Sequence, residues 1–257
     1  MENKNNIIQG YDVFGKTYGF MLRNDLHDID SIEHKLMQKM ILLNEASINL
    51  FYKKIPTPYQ MNKHELYEFS QRFKKDSEYL SIKALTEYTK DIADNYDIKL
   101  EDMEFGGKES EILKRQTDWC FDVARLAIVI LDCIGIPSRF IFIANPYKAY
   151  HGHVLLEAYY ENTWGLVDPL NGYIFYNDKP VSAKGIIQSH LLDEYDKDYH
   201  DSFLNIAIAE YDPNDKSNVY NVSKCNEYTY KLNNAQHNGQ WLFKEDDITD
   251  MISESKE

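Results

Sequence analysis

The feature that most constrains the fold is an apolar helix in the middle of the chain that runs directly into a series of short strands. Between Asp118 and Gly135 the apolar residues recur at helical spacing, namely Val123, Ala124, Ala127, Ile128 and Leu131. Asp118 is a suitable N-cap for this helix, and Gly135 followed by Pro137 ends it. The spacing therefore predicts that Cys120 lies in the first helical turn.

Four strand patterns follow this helix. Residues 139–144 form an almost unbroken apolar run that is typical of a central strand, and residues 153–160, 164–168 and 173–176 continue the series. The connections at residues 161–162 and 169–172 are short and rich in turn-forming residues, which predicts an antiparallel meander. We expect an α+β fold in which helices pack on an antiparallel β-sheet.

The flanking segments are predicted with less local detail. A helical N-terminal part over residues 30–80 contains one helix at residues 31–55, stopped by Pro56, and a second that a capping box at Asn62 and Glu65 opens. A third helix starts near Ser81. A mixed part over residues 177–244 has a helix at 182–192 and strands at 203–211, 227–232 and 240–244, before an acidic tail at 245–257. With a core at 81–176, the simplest interpretation is a single domain spanning residues 1–257.

Charge and cysteine content exclude several classes of partner. The net charge of −14 disfavours nucleic acid and anionic membrane surfaces, and no basic stripe compensates for it. No apolar run of signal-peptide length follows Met1, so we expect a cytoplasmic protein. Cys120, Cys133 and Cys225 are widely spaced, which fits neither a disulfide framework nor a zinc site.

Cys120 has the setting of a nucleophile. The start of a helix supplies partial positive charge that stabilises a thiolate, and covalent acyl transfer also needs a base and a group that orients that base. A two-residue turn at residues 161–162 sets Leu155 opposite Asp168, which places His153 and Asp168 on one sheet face as diagonal neighbours about 7–8 Å apart. His153 and Asp168 are therefore the candidate base and orienting carboxylate.

At these residues the chain resembles a known family. The segments Trp119-Cys120-Phe121-Asp122-Val123-Ala124, Gly135-Ile136-Pro137-Ser138-Arg139, His153-Val154-Leu155-Leu156-Glu157 and Trp164-Gly165-Leu166-Val167-Asp168-Pro169 resemble, in this order, the core of the transglutaminase-like superfamily. The resemblance implies a papain-like cysteine enzyme fold with Cys120 as nucleophile, His153 as general base and acid, and Asp168 as orienting carboxylate. The backbone N–H of Cys120 is a natural oxyanion donor, and Gln116 or Trp119 are candidates for a second.

Each of these residues also has a structural interpretation. Cys133 and Cys225 are interpreted as buried small hydrophobic residues, His151 is an alternative base, and Asp168 is an alternative turn residue before Pro169. An acidic cluster invites comparison with the calcium sites of some transglutaminases, but a solvated loop is the preferred interpretation. The cluster comprises Asp193, Glu194, Asp196, Asp198 and Asp201.

The expected function is that of a cysteine acyltransferase or peptidase that forms an acyl-enzyme on Cys120. The acyl donor would be a peptide, amide, ester or thioester, and the acyl group would pass to water or an amine. This chemistry requires no metal and no organic cofactor. An arylamine N-acetyltransferase-like enzyme and a non-catalytic peptide-binding module are the alternatives, while substrate and oligomeric state stay open.

Overall fold

A computed structural model describes residues 36, 39–57, 64–97, 104–145, 152–186, 191–195 and 197–213, together with the backbone of three short strands after residue 222. The α-helices are α1 (Ile48–Tyr52), α2 (Tyr67–Ser70), α3 (Glu78–Asp94), α4 (Glu109–Arg115), α5 (Cys120–Cys133), α6 (Ala183–Ile186) and α7 (Leu191–Glu194). Within these residues, two 3₁₀ helices span Gln71–Phe73 and Lys197–Leu204. In this part of the chain, no helix has the length and apolarity needed to cross a membrane.

The strands form one main sheet and two small ones. They are β1 (Ile41–Leu42), β2 (Glu104–Phe105), β3 (Ser138–Ala144), β4 (Gly152–Tyr160), β5 (Thr163–Asp168), β6 (Tyr173–Ile174), β7 (Ile206–Ala209), β8 (Ser223–Lys224), β9 (Gln236–His237) and β10 (Gln240–Trp241). The main sheet has the order β1-β7-β3-β4-β5-β6 and every pairing in it is antiparallel. The predicted α+β class and the predicted meander from β3 to β6 are confirmed.

The turn between β4 and β5 sets the register of the site. Glu161 and Asn162 have φ angles of 51° and 61°, the left-handed conformation that a two-residue hairpin turn of type I′ requires. Tyr160 pairs with Thr163, and the ladder continues to Leu156 opposite Val167. The predicted hairpin register is therefore confirmed, and it brings the side chains of His153 and Asp168 to the same face.

Helix α5 supports the sheet from one side because nearly all of its side chains are buried. Phe121 stacks on Phe140 of β3, with ring centroids 5.1 Å apart, in a core that also includes Phe142 and Leu156. A tight turn at Gly135, with φ of 85°, sends the chain back along the helix as β3. As a result the beginning of α5, the beginning of β4 and the end of β5 lie at the same end of the sheet.

A second hydrophobic cluster covers the opposite face of the sheet. Its members from the strands include Ile141, Leu155 and Leu166, and the chain after β6 supplies Phe175, Tyr195 and Phe203. The segment that carries α7 and the second 3₁₀ helix therefore packs on the face that holds His153.

The predicted helix at residues 31–55 is wrong over most of its described part. Ile41 and Leu42 instead form the edge strand β1, which pairs with β7, and among the described residues of this segment the helical ones are Leu36, Lys39 and Ile48–Tyr52. The side-chain oxygen of Asn44 accepts hydrogen bonds from the backbone N–H groups of Ala46 and Ser47, so a local turn interrupts the apolar periodicity. Tertiary pairing with β7 outweighs the helical pattern here.

Other boundaries differ in smaller ways. The second predicted helix is a single α-turn followed by a 3₁₀ turn, and Leu66 rather than Asn62, which lies outside the described residues, is its N-cap. The third helix begins earlier than predicted because Ser77 caps it, accepting a hydrogen bond from the backbone N–H of Leu80. Within the predicted helix at 182–192, the structure describes α6 and the beginning of α7, and residues 187–190 lie outside the described residues. The strands β6 and β7 are shorter than predicted, and α4 was not predicted. Residues 227–232 and the acidic tail lie outside the described residues.

Candidate active site

Cys120 is the first residue of α5 and is half-buried. The predicted N-cap is wrong: Trp119 occupies the cap position, no side chain caps the helix, and Asp118 is exposed one residue earlier. The backbone N–H of Trp119 donates to the hydroxyl of Thr117, 3.0 Å away, which fixes the entry into the helix. Partial burial of the Asp118 carboxyl raises its pKa, and a hydrogen bond with its own backbone acts to lower it.

Asp122, which the sequence reasoning missed, anchors the first turn of this helix. Its buried carboxylate accepts hydrogen bonds from the backbone N–H of Gly106 and from the guanidinium of Arg115, at 2.9 and 2.7 Å. Arg125 lies one turn further along, 3.5 Å from the other Asp122 oxygen, and donates to the carbonyl of Gly107. These contacts hold the start of α5, and with it Cys120, against the loop before α4.

His153 and Asp168 form a buried pair. The Nε2 atom of His153 lies 2.9 Å from Oδ2 of Asp168, and the two side chains are 1% and 0% exposed. The Cys120 thiol lies close enough to the imidazole to be one of the groups that raise the pKa of His153. The structure thus brings together all three residues that the sequence singled out.

The charges of this group support one another. Burial acts to lower the pKa of His153, but the charge and hydrogen bond of Asp168, together with the contacts to Cys120, raise it to about 10. Burial acts to raise the pKa of Asp168, but the charge and hydrogen bond of His153 lower it to about 2. At neutral pH the pair is therefore an imidazolium beside a carboxylate.

The two oxygens of Asp168 have different tasks. Oδ1 accepts hydrogen bonds from the backbone N–H groups of Leu170 and Asn171, at 3.0 and 3.1 Å, as a turn-forming Asp does. Oδ2 accepts from His153 and from the side-chain amide of Asn171, the latter at 2.7 Å. The turn role and the pairing with His153, considered as alternatives from the sequence, coexist on one carboxylate.

Two tyrosines that the sequence reasoning missed complete the surroundings of the pair. The hydroxyl of Tyr195 donates a hydrogen bond to Oδ2 of Asp168, and the ring of Tyr199 stacks on the ring of His153 with centroids 4.6 Å apart and an angle of 24°. Both lie in the acidic segment that was interpreted as a solvated loop. The i, i+4 spacing of two aromatic residues within that segment was the signal that could have indicated burial.

The three candidate oxyanion donors are Gln116, Trp119 and the backbone N–H of Cys120. Gln116 is exposed and ends α4 with φ of 65° and ψ of 172°, four residues before Cys120. The backbone N–H of Trp119 donates to the hydroxyl of Thr117, so the oxyanion donor predicted at this residue would have to be its indole N–H. The backbone N–H of Cys120 lies in the first helical turn, where the helix itself supplies no acceptor.

Of the other residues considered from the sequence, Cys133 is described, whereas His151 and Cys225 are not. Cys133 is 1% exposed at the end of α5, and burial raises its pKa to about 11. His151 and Cys225 lie outside the described residues. Within the described ranges, no group of three His, Cys, Asp or Glu side chains is arranged to hold a metal ion.

Comparison with known proteins identifies the central segment. Residues 67–169, less than half of the chain, match the family model of the transglutaminase-like superfamily core, which confirms the resemblance over that segment. A solved structure from Cytophaga hutchinsonii, described as a "Putative Cysteine Protease", is 20% identical with a TM-score of 0.35. The similarity covers 50% of this chain and 43% of that one. No curated protein gives a significant match.

Proposed function

Because residues 67–169 form a transglutaminase-like core, we propose that the protein is a cysteine acyltransferase or peptidase in which Cys120, His153 and Asp168 act together. The observation that carries the proposal is the buried hydrogen bond between Asp168 and His153, with the Cys120 thiol near enough to the imidazole to raise its pKa. A carboxylate, an imidazole and a thiol in this order provide an orienting group, a proton carrier and a nucleophile. Neither a metal nor an organic cofactor takes part in the proposed reaction.

In the first half-reaction the Cys120 thiolate attacks the carbonyl carbon of the acyl donor, and a carbon–sulfur bond forms. The backbone N–H of Cys120 and the side chain of Gln116 or Trp119 would donate hydrogen bonds to the oxygen as it becomes negative. His153, protonated at neutral pH, then gives its proton to the leaving amine, alcohol or thiol as the bond to that group breaks. The product is a thioester on Cys120 and a neutral imidazole.

In the second half-reaction the neutral His153 takes a proton from water or an amine while that molecule attacks the thioester carbonyl. The carbon–sulfur bond breaks, and the acyl product leaves with Cys120 again a thiolate. Asp168 keeps the imidazole oriented in both steps and stabilises its positive charge. Water as acceptor gives hydrolysis, and an amine gives transamidation.

Intact-protein mass spectrometry tests this proposal. The protein is mixed with activated esters, thioesters and glutamine-containing peptides, and we expect a single added acyl mass that peptide mapping places on Cys120. Cys120→Ala should show no added mass, whereas Cys133→Ala, which removes a buried thiol, should behave as the wild type. Acylation of Cys133 or Cys225 in preference to Cys120, or no acylation with the whole panel, would support a non-catalytic module instead.

The fate of the acyl group is measured in the same experiment. With and without an added primary amine, the rate at which the acyl mass disappears and the identity of the released product distinguish the two outcomes. An amide product that forms only with the amine indicates transamidation. Release of the free acid at an amine-independent rate indicates hydrolysis.

A further inference from the structure

The contacts of Asp168 and His153 extend beyond the segment that matches the family. Tyr195 and Tyr199 lie after residue 169, on the far side of β6, yet one hydrogen-bonds Asp168 and the other stacks on His153. We call Tyr195 and Tyr199 the tyrosine brace. The brace is supplied by the short segment from α7 into the second 3₁₀ helix.

The position of Tyr195 is fixed from several sides. Its side chain is buried and its ring contacts those of Tyr173, Phe175 and Phe203, with centroids 5.4, 5.0 and 5.9 Å away. Burial and the negative charge of Asp168 raise the pKa of Tyr195, so its hydroxyl stays protonated and donates. A rigid donor of this kind determines where Oδ2 of Asp168 lies.

The ring of Tyr199 covers one face of the imidazole. His153 is 1% exposed, so its imidazole can rotate only if neighbouring side chains move. The stacked ring of Tyr199 blocks that rotation on one face of the imidazole. Stacking therefore holds the ring plane, while Asp168 holds one edge of it. Together these contacts fix the orientation of the imidazole.

We propose that Tyr195 and Tyr199 are positioning residues of the active site, which orient the Asp168 carboxylate and the His153 ring from a segment outside the family core. The inference rests on the proposed function, because positioning matters only if His153 carries a proton to and from substrate. Neither tyrosine is proposed to touch the acyl group.

Two pairs of variants test this inference. Tyr195→Phe keeps the ring and removes the hydroxyl that bonds Asp168, and its matched control is Tyr173→Phe, which removes the hydroxyl of a ring that packs against Tyr195. Tyr199→Phe keeps an aromatic ring over His153, and Tyr199→Leu removes it. Comparison of thermal unfolding curves identifies any variant that fails to fold.

The first readout needs no substrate. A ring N–H proton bonded to a carboxylate gives a far-downfield signal in the proton NMR spectrum, assigned here by its loss in His153→Ala. We expect this signal to shift or broaden in Tyr195→Phe and Tyr199→Leu, and to stay in place in Tyr173→Phe and Tyr199→Phe. An unchanged signal in both Tyr195→Phe and Tyr199→Leu would overturn the inference.

The second readout is turnover of the acyl donor identified by mass spectrometry. We expect kcat to fall about tenfold in Tyr195→Phe, with KM within about twofold of wild type, because a hydrogen bond to a charged group is lost while substrate contacts are kept. An unchanged kcat in a folded Tyr195→Phe protein overturns the positioning role. If instead the NMR signal responds but no donor acylates Cys120, the proposed function fails and the structural contacts stand.

Discussion

At the scale of single residues, the environments of Cys120 and Cys133 differ more than their positions on one helix suggest. Cys120 is half-buried at the helix start beside an imidazolium, whereas Cys133 is 1% exposed at the helix end. The pKa of Cys133 is raised to about 11 by burial, so about one molecule in 10⁴ carries its thiolate at pH 7. Of these two cysteines, Cys120 is the one that we propose to react.

Alkylation of the native protein tests this difference. We expect iodoacetamide to modify Cys120 at least about 100-fold faster than Cys133 at pH 7, because the thiolate is the reactive form and the second thiol lacks both access and charge. Time-resolved peptide mapping measures both rates on one sample. Equal rates would contradict the site, and a denatured sample, in which both thiols react alike, is the control.

Replacement of Asp168 by Asn measures the contribution of its charge. Asp168→Asn keeps the shape but removes the partner of the imidazolium, and in a serine-based triad the corresponding change lowers turnover by about 10⁴. Since a thiol ionises more easily than a hydroxyl, we expect a smaller loss in kcat, on the order of 10²–10³, or roughly 3–4 kcal/mol. Asn171→Ala removes one of the three described donors to Oδ2 of Asp168 and should lower kcat by less. Full activity in Asp168→Asn would show that Asp168 shapes the turn before Leu170 but takes no part in catalysis.

At the scale of secondary-structure elements, the buried ion pair of Glu157 and Arg139 holds the sheet to its neighbours. Glu157 of β4 accepts two hydrogen bonds from Arg139 of β3, at 2.9 and 2.7 Å, and also bonds the hydroxyl of Tyr52 in α1 and the backbone N–H of Ala183 in α6. The guanidinium of Arg139 lies 3.9 Å from the ring centroid of Trp164. One carboxylate thus joins four elements.

Loss of that carboxylate should cost stability. Glu157→Gln removes the buried countercharge of Arg139 and leaves it with the exposed carboxylate of Glu210, 3.7 Å away, so we expect the free energy of unfolding to fall by about 3–5 kcal/mol. The matched control is Glu87→Gln, which removes an exposed pair with Lys83 at 3.9 Å and should change stability by less than about 1 kcal/mol. Urea unfolding measures both values. Equal losses of unfolding free energy in the two variants would show that the Glu157–Arg139 pair does not stabilise the packing of these elements.

The elements also show where sequence reasoning succeeds. The two-residue turn at Glu161 and Asn162 fixes the register by local geometry, so the facing of His153 and Asp168 follows from counting residues. The edge strand β1 and the tyrosine brace depend on contacts with distant parts of the chain, and local periodicity carries no information about those contacts. Asp122 was missed for the same reason, because its partners come from a loop and from α4.

At the scale of the whole molecule, the His153–Asp168 pair makes stability depend on pH in two windows. The folded pKa of His153 is raised from 6.5 to about 10, so its contribution is complete below pH 6.5 and is lost as pH rises towards 10. The folded pKa of Asp168 is lowered from 3.8 to about 2, so its contribution is complete above pH 3.8 and is lost as pH falls towards 2.

The difference between wild type and Asp168→Asn isolates this pair from all other titrating groups. We expect the difference in the free energy of unfolding to be largest between about pH 4 and 6.5 and to shrink on both sides, in line with the directions of the two shifts. Urea unfolding at a series of pH values measures the difference. A difference that stays constant from pH 4 to 10 would contradict the charged pair.

The order of strands in the main sheet has a consequence for synthesis on the ribosome. β1 and β3 both pair with β7, which is made last of the three, so roughly 160 residues must be added after β1 before its partner exists. At about 5–20 residues per second, this interval lasts on the order of ten to thirty seconds. β3 is complete at Ala144, so one of its edges is open to pairing with other chains while roughly the last 60 of these residues are added, or for about 3–12 seconds. Nascent chains that stop before residue 209 should therefore be the ones that depend on chaperones and aggregate when chaperones are depleted.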